Sequence, residues 1–596
     1  MRQLFLVLGA VAAAGLAWWF WFAPPDPSKM YVFSGLSGPA DRTTMPPPRL
    51  AAIADYDRGS PHRLAILVTD KTAGWLGLVR AFRAHGIPFT VTSDPARALM
   101  HKVVLVYPIV SGRALSPETL RALSAHVRDG GTVLAFNLAG GGLEELFGVS
   151  IGAESLKRSE LTWTVPKATP AESQLIISRA GEDQMGSIGY TVTTAHAEAT
   201  FDDGSTAIAC REVGGKACVM GVDLGVLAQR AMNGRAETLG QTYVNGFTPT
   251  IDVLVGWVRD LYVAGEPMPW IVSSVPAGKE VSVILTHDVD FTRSVVNSAA
   301  YANALEAAGA TATFFVQTKY VKDYNDDIFF NDTTVPQLKA LAGQGMQIES
   351  HSVAHARTFA AFGLGSGRER YPRYMPFVRD RETATGGTVL GELRVSRFLL
   401  NTMLNADVRA FRPGHLAYPF ALPQALEATG YKYSSSITAN ATLTHLPFQL
   451  TDDRANGALT TLYEFPVTIE DEQPPELPAR LDAAQDLIAN VARYGGVAVV
   501  LIHPDVTEPK LAFEMALVEK WRDRAWIGPL TKFGDWWRGR DLAEIDVDEK
   551  DGVWTLTAGG SDAIGDVEVL LPKLATRHRI ARKAGERAAE RIAATN

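Results

Sequence analysis

Five apolar runs, none of them alternating with polar positions, constrain this chain more than any other feature. They are Leu64–Val68, Val103–Tyr107, Thr132–Phe136, Val281–Leu285 and Val497–Ile502. A strand that reads as continuous apolar residues is buried on both faces, as in a parallel sheet covered by helices. Amphipathic stretches of helical length separate the first of these runs. Ser116-Pro117-Glu118 opens one such stretch with a capping serine, a proline at the first helical position and an acid in the first turn. The pattern predicts an α/β chain with two sheet-containing units, over residues 63–270 and 275–520. With 596 residues the chain has room for both.

Composition closes off several classes of function. Apolar residues make up 46% and charged residues 20%, a globular profile rather than a disordered one. There are 57 Lys and Arg against 65 Asp and Glu, a formal charge of −8, and no large basic block; nucleic acid is therefore excluded as a partner. Two cysteines exclude both a disulfide framework and a metal site built from four thiolates. Cys210 and Cys218 flank Glu212–Lys216, which reads as a hairpin turn and sets them opposite each other. The sequence leaves open whether they form a disulfide or remain two buried thiols.

The chain starts with Arg2 and an uncharged apolar run, Leu4–Ala23, long enough to span a bilayer as a helix. Trp18, Trp19, Phe20, Trp21 and Phe22 lie where an aromatic belt is favoured and a small-residue cleavage site is not. Residues 1–23 read as an uncleaved membrane anchor, with a cleaved signal peptide as the alternative. Either reading exports the rest; the first places it on the periplasmic side of an inner membrane. Residues 24–62, with Pro-rich clusters at 24–27 and 46–48, read as a linker. Residues 521–596 read as a small β extension with two short strands, 553–557 and 567–571. A basic tail from Lys573 reads as a solvated terminal helix.

The chemistry gathers in the second unit. The buried run from Val281 ends in Thr286-His287-Asp288-Val289-Asp290, two carboxylates spaced i, i+2 at a strand end that can both reach one site if the strand bends into a loop. Alternation points His287 away from the face that Asp288 uses. His351 and His355 are spaced i, i+4, which on a helix places two imidazoles on one face about 5–6 Å apart, suited to one divalent cation. Arg412 precedes the turn Pro413-Gly414-His415. A strand follows at Tyr431–Ser436, and His503 ends the apolar run that contains Leu501. Glu470-Asp471-Glu472 reads as a solvated loop, and Asp326-Asp327, in a long insertion, read equally as part of a cleft wall or as hydrated surface.

In this order the motifs resemble those of the polysaccharide deacetylases, the NodB-homology or carbohydrate esterase family 4 group, over residues 277–510. The resemblance implies a distorted (β/α) barrel and metal-dependent removal of acetyl groups from an N-acetylated polysaccharide. It implies Asp288 as general base, Arg412 as the residue that orients it, and His503 as general acid. It further implies Asp290, His351 and His355 as ligands of one divalent cation, Zn²⁺. Leu501 would line the acetyl pocket, and the backbone near Gly414 and His415 would hold the oxyanion. Where the family often has an aspartate to charge the acid histidine, this sequence has Ser434, so the partner of His503 stays open.

The first unit resembles the flavodoxin-like glutamine-amidotransferase α/β domains of the ThuA-like type, through Gly140–Gly148 and Met220–Gly225. Its strand-to-helix elbow, Phe136-Asn137-Leu138-Ala139, carries no cysteine nucleophile, which leaves a scaffolding or glycan-binding role. Together the two units are similar to exopolysaccharide deacetylases of the Pel type, which implies polysaccharide secretion machinery as a partner. The alternatives are peptidoglycan deacetylation, O-acetyl esterase action, or a non-catalytic glycan-binding or secretion scaffold.

Overall fold

The computed structural model describes residues 29–179, 185–234, 245–324, 328–454 and 457–594. The anchor read at residues 1–23 and the pair Asp326-Asp327 lie outside the described residues. Among the described residues, no helix is long and apolar enough to cross a membrane.

The first unit is built on an 11-stranded mixed sheet. Phe89–Thr92, Leu64–Val68, Val103–Tyr107, Thr132–Phe136 and Gly215–Met220 pair in parallel, in that spatial order. The first four of these are buried at every position, including Thr90 and Thr92 of the first, which alternate with apolar residues. An antiparallel extension completes the sheet, starting with the hairpin Thr206–Val213/Gly215–Met220. In that hairpin Cys210 pairs with Cys218, and the two are joined as a disulfide. Ser116 caps the helix Pro117–Arg128 by accepting a hydrogen bond from the Thr119 amide at 3.2 Å. The helix Thr250–Gly265 ties this unit to the next, because buried Asp252 accepts from Thr444 Oγ1 at 2.6 Å and from the His445 amide at 2.9 Å.

The second unit holds a 10-stranded sheet that curls into a half-barrel. Leu459–Glu464 pairs at one side of the sheet and Val467–Ile469 lies at the opposite edge. Only Phe465 and Pro466 separate these strands in sequence, so the two sides are forced towards each other. The central strand, Val281–Val289, is buried at all nine positions and pairs in parallel with Thr313–Val316 and Val497–Ile502. Its carboxyl end, like those of its neighbours, opens toward the site described below.

Two expectations at the periphery are corrected. Residues 29–62 are not a free linker. Residues 29–50 run across the second unit, with isolated bridges Met30 to Val321, Gly38 to Tyr371 and Leu50 to Ala458, and Tyr56 then packs on Trp75 and Phe89 of the first. Met30 and Phe33 are buried, which holds the segment down. The basic tail is not a helix: Thr576–Arg582 and Ala588–Ala594 are strands. Ile580 and Arg582 are buried two residues apart on the face turned inward, a period of two that a helix does not satisfy. The extension is also larger than two strands. It supplies five strands of two three-stranded sheets, the sixth being Ile271–Val272, over a shared core that includes Trp270, Val547, Leu556 and Val567.

Candidate active site

Because the central strand stays extended through Val289, Asp288 and Asp290 project from the same face of the sheet. His287 projects from the other, stacked on Phe314 with centroids 4.5 Å apart and bonded to Glu514 Oε2 at 3.1 Å. It is spoken for by the core.

His351 follows the strand Gln347–Ser350, and His355 lies in the loop beyond it. This loop is not the helix that their spacing suggested. Ser352 and His355 have φ of 67° and 52°, left-handed values incompatible with a helical run. Glu392, on the helix Val389–Leu404, fixes the loop instead. Its Oε2 accepts from the amides of Val353 and Ala354 at 2.8 Å each, and its Oε1 accepts from Tyr374 Oη at 2.8 Å. Burial raises the Glu392 pKa, and these donors partly offset it. Gly414 is required here: a Cβ would come within 2.5 Å of the His355 ring.

The loop brings His351 Nε2 to 3.2 Å from Asp290 Oδ1, and His355 Nε2 to 3.5 Å from Asp290 Oδ2. The three donor atoms all lie within 4.8 Å of one another, and the three residues are buried. His351 Nδ1 lies 2.8 Å from the carbonyl of Arg412, which can only accept, so Nδ1 carries the proton. In the neutral ring, Nε2 then turns a lone pair toward Asp290. His351 Nε2 and Asp290 Oδ1 are both buried without a hydrogen-bond partner. Two acceptors placed this way need a cation between them, and one carboxylate with two imidazoles suits a divalent metal. Burial lowers the His351 pKa, but Asp288 and Asp290 outweigh it and raise the net value. Burial holds His355 at about 4. Burial favours the neutral Asp290 carboxyl, yet the surrounding imidazoles reverse this and hold it far below the usual range.

Asp288 lies beside the cluster, with Oδ2 3.7 Å from His351 Nε2. Fully buried Arg412 donates to Asp288 Oδ1 at 2.7 Å, to Thr286 Oγ1 at 2.9 Å and to Ser435 Oγ at 2.8 Å. Its guanidinium lies 4.4 Å from the Phe315 ring centroid. The arginine is therefore locked, and it locks the carboxylate. Ser435 lies in the stretch where the resemblance led to Ser434; Ser434 itself bonds Ser436 at 2.8 Å, away from any imidazole.

His503 reaches the cluster from the end of Val497–Ile502, with Nε2 3.5 Å from Asp290 Oδ2. Its partner is Asp471, which the sequence placed in a solvated loop. Asp471 Oδ1 lies 2.6 Å from His503 Nδ1, and Oδ2 accepts from the His503 amide at 2.8 Å. Lys510 Nζ holds Asp471 from another side at 2.6 Å and also bonds Asp505 at 2.6 Å. Burial raises the Asp471 carboxyl, but His503 and Lys510 outweigh it and bring it to about 2. Burial lowers His503, and Asp471 more than reverses this, leaving the imidazole well above its ordinary value. The available signal was parallel pairing: Ile469 sits opposite Val500, so the residues that follow each strand emerge together.

Leu501 is buried against Leu416 and Val467. His415, with φ 56°, packs its ring edge-to-face with that of His355, centroids 4.5 Å apart, and burial brings its pKa to about 2.

Residues 276–434 match the polysaccharide deacetylase family. The match takes in Asp288, Asp290, His351, His355 and Arg412 and ends before Asp471 and His503. Among solved structures, the chain is similar to a putative polysaccharide deacetylase from Mycobacterium smegmatis. The two are 15% identical over 46% of this chain and 98% of that one, with a TM-score of 0.34. A family 4 carbohydrate esterase from Streptomyces lividans in complex with acetate is 16% identical, over 42% and 93%, with a TM-score of 0.26. A polysaccharide deacetylase from Bacillus cereus is 16% identical, over 42% and 92%, with a TM-score of 0.25. No curated protein matches the chain.

Proposed function

We propose that the chain is a metal-dependent hydrolase that removes N-acetyl groups from an exported polysaccharide, an exopolysaccharide. The observation that carries this reading is the meeting of Asp290, His351 and His355 with two further groups, Asp288 clamped by Arg412 and His503 paired with Asp471. A divalent cation held by Asp290, His351 and His355 supplies Lewis acidity toward an amide carbonyl and its attacking water. Asp288 takes the proton of that water, with its carboxylate aimed by Arg412. His503, its Nδ1 turned to Asp471, gives the Nε2 proton to the departing amine nitrogen, so that acetate and a free amine result. The backbone at Gly414 and His415 faces the oxyanion, and Leu501 lines the pocket for the acetyl methyl group. The apolar run Leu4–Ala23 supports a membrane-anchored, periplasmic placement beside polysaccharide secretion machinery.

The test is acetate release by the full chain from N-acetylated exopolysaccharide, chitooligosaccharides and peptidoglycan, with and without added divalent cation. Metal-dependent release from the first supports the reading. A chain that binds metal and frees no acetate from any of them is a glycan-binding scaffold instead.

A further inference from the structure

A cavity of about 530 Å³ lies where the edge strand Phe89–Thr92, the helix Leu530–Asp541 and the C-terminal sheets meet. Its volume falls in the roughly 300–1,000 Å³ range of small-molecule sites. None of the residues of the candidate active site lines it. Its walls carry five guanidinium groups against three carboxylates, and no lysine or histidine.

The carboxylates are already engaged. Glu544 pairs with Arg58 at 3.1 Å, and Asp546 with Arg63 at 3.1 Å. Asp541 accepts from Tyr463 Oη at 2.8 Å and lies 3.8 Å from Arg540. Arg63 and Arg540 are further tied to backbone carbonyls, Arg63 to those of Phe89 and Ile545 and Arg540 to those of Val272 and Ser273. These three arginines are therefore structural.

The surplus falls on Arg83 and Arg587. The guanidinium of Arg83 is half-buried, with its charge 5.4 Å from the Tyr56 ring centroid. Asp541 acts on it through its field, but no carboxylate lies within ion-pair distance. Arg587 stands exposed at the rim, without an ion pair or side-chain hydrogen bond among the described residues. Five guanidiniums against three carboxylates leave a net positive charge in a concavity partly walled by Trp270, Ile87 and Phe89, which focuses a positive potential inward. Their planar forks match a carboxylate in two-point geometry.

We infer that this cavity is a second, non-catalytic site that binds an acidic saccharide, its carboxylate received by Arg83 and Arg587. The anionic character of the ligand follows from the charge of the walls. Its being a saccharide rests on the proposed function. The site disfavours the amine-bearing product of deacetylation, because a cationic sugar meets the same surplus charge.

The test is calorimetric titration of the full chain with oligogalacturonate, with neutral chitooligosaccharide and with inorganic phosphate, at about 0.05 and about 0.3 M salt. Oligogalacturonate is expected to bind and to weaken with salt. It should lose about tenfold or more in affinity in Arg83→Gln and in Arg587→Gln. Because Arg587 is exposed, its variant tests the site without disturbing the fold. Asp290→Ala should bind as the wild type does. No binding of oligogalacturonate, binding unchanged in both arginine variants, or phosphate binding as tightly as the oligosaccharide each overturns the inference. Acetate release with no oligogalacturonate binding defeats this inference alone. Oligogalacturonate binding without acetate release from any substrate defeats the deacetylase reading and leaves this site standing.

Discussion

Replacing Asp471 with asparagine isolates the part of the site that does not touch the metal ligands through their own atoms. In the wild type, burial pulls the His503 imidazole down and Asp471, 2.6 Å from Nδ1, more than restores it. Asparagine keeps the shape and removes the charge. Breaking one side of a buried ion pair costs about 3–5 kcal/mol, which corresponds to about 2–4 pKa units. The imidazole then holds its proton less tightly, and less of it is protonated as the pH rises. A general acid that has lost its proton forfeits about 10²–10⁴ in rate. The expected result for Asp471→Asn is a fall of that size in the kcat for acetate release at neutral pH. KM should stay close to the wild-type value, and the basic limb of the pH–rate profile should move to lower pH. The assay is initial acetate release from a soluble N-acetylated oligosaccharide between about pH 5 and 9, alongside an unfolding midpoint to show that the variant is folded. A folded variant with wild-type kcat and an unmoved basic limb would refute the assignment of His503 and Asp471 as the acid pair.

Three further outcomes are expected. Asp290→Ala should lose bound divalent metal by elemental analysis, and a chelator should lower the wild-type unfolding midpoint but not that of the variant. Binding at a hundred times Kd contributes about 2.7 kcal/mol that chelation removes. Arg412→Met should leave Asp288 buried without its 2.7 Å partner, costing about 3–5 kcal/mol in denaturant unfolding as well as activity; a fully stable variant would show that the clamp is unimportant. Burial lifts Glu464, which accepts from the Ser436 and Ile437 amides, from 4.5 to about 7. It binds its proton more tightly folded than unfolded, so its contribution is complete below about pH 4.5 and lost as pH rises through about 7, worth about 3 kcal/mol. Glu464→Gln should flatten the pH dependence of stability across that window; an unchanged slope would reject it.

The legible parts of this molecule were those that local pattern controls. Unbroken apolar runs announced buried parallel strands, and the Asp288–Asp290 spacing pointed to one shared site; the bend into a loop expected there is not needed, because the strand stays extended and its repeat of two residues sets both carboxylates on one face. What escaped was set by distant partners. The His351–His355 spacing fits a helix, yet Glu392, from a different helix, holds the segment as a loop. Asp471 looked like a solvated acid because nothing nearby in sequence announces His503; only the pairing of Val467–Ile469 with Val497–Ile502 brings them together. The basic tail was misjudged for a similar reason. Its charges are spread through it and most of its apolar positions are alanines, and the inward face of Thr576–Arg582 becomes readable only once Ile564–Leu571 lies beside it.

The segment around Phe33 has a consequence for how the molecule matures. Its amide donates to Tyr371 Oη, 338 residues further along, and Tyr31 gives its carbonyl to the same hydroxyl. Ribosomes deliver the amino-terminal end first, so this stretch emerges long before the surface on which it rests. Made before the surface that receives it, the segment finds its place only once that surface has formed. Until then Met30 and Phe33 stay uncovered, a window in which a chaperone can hold the growing chain.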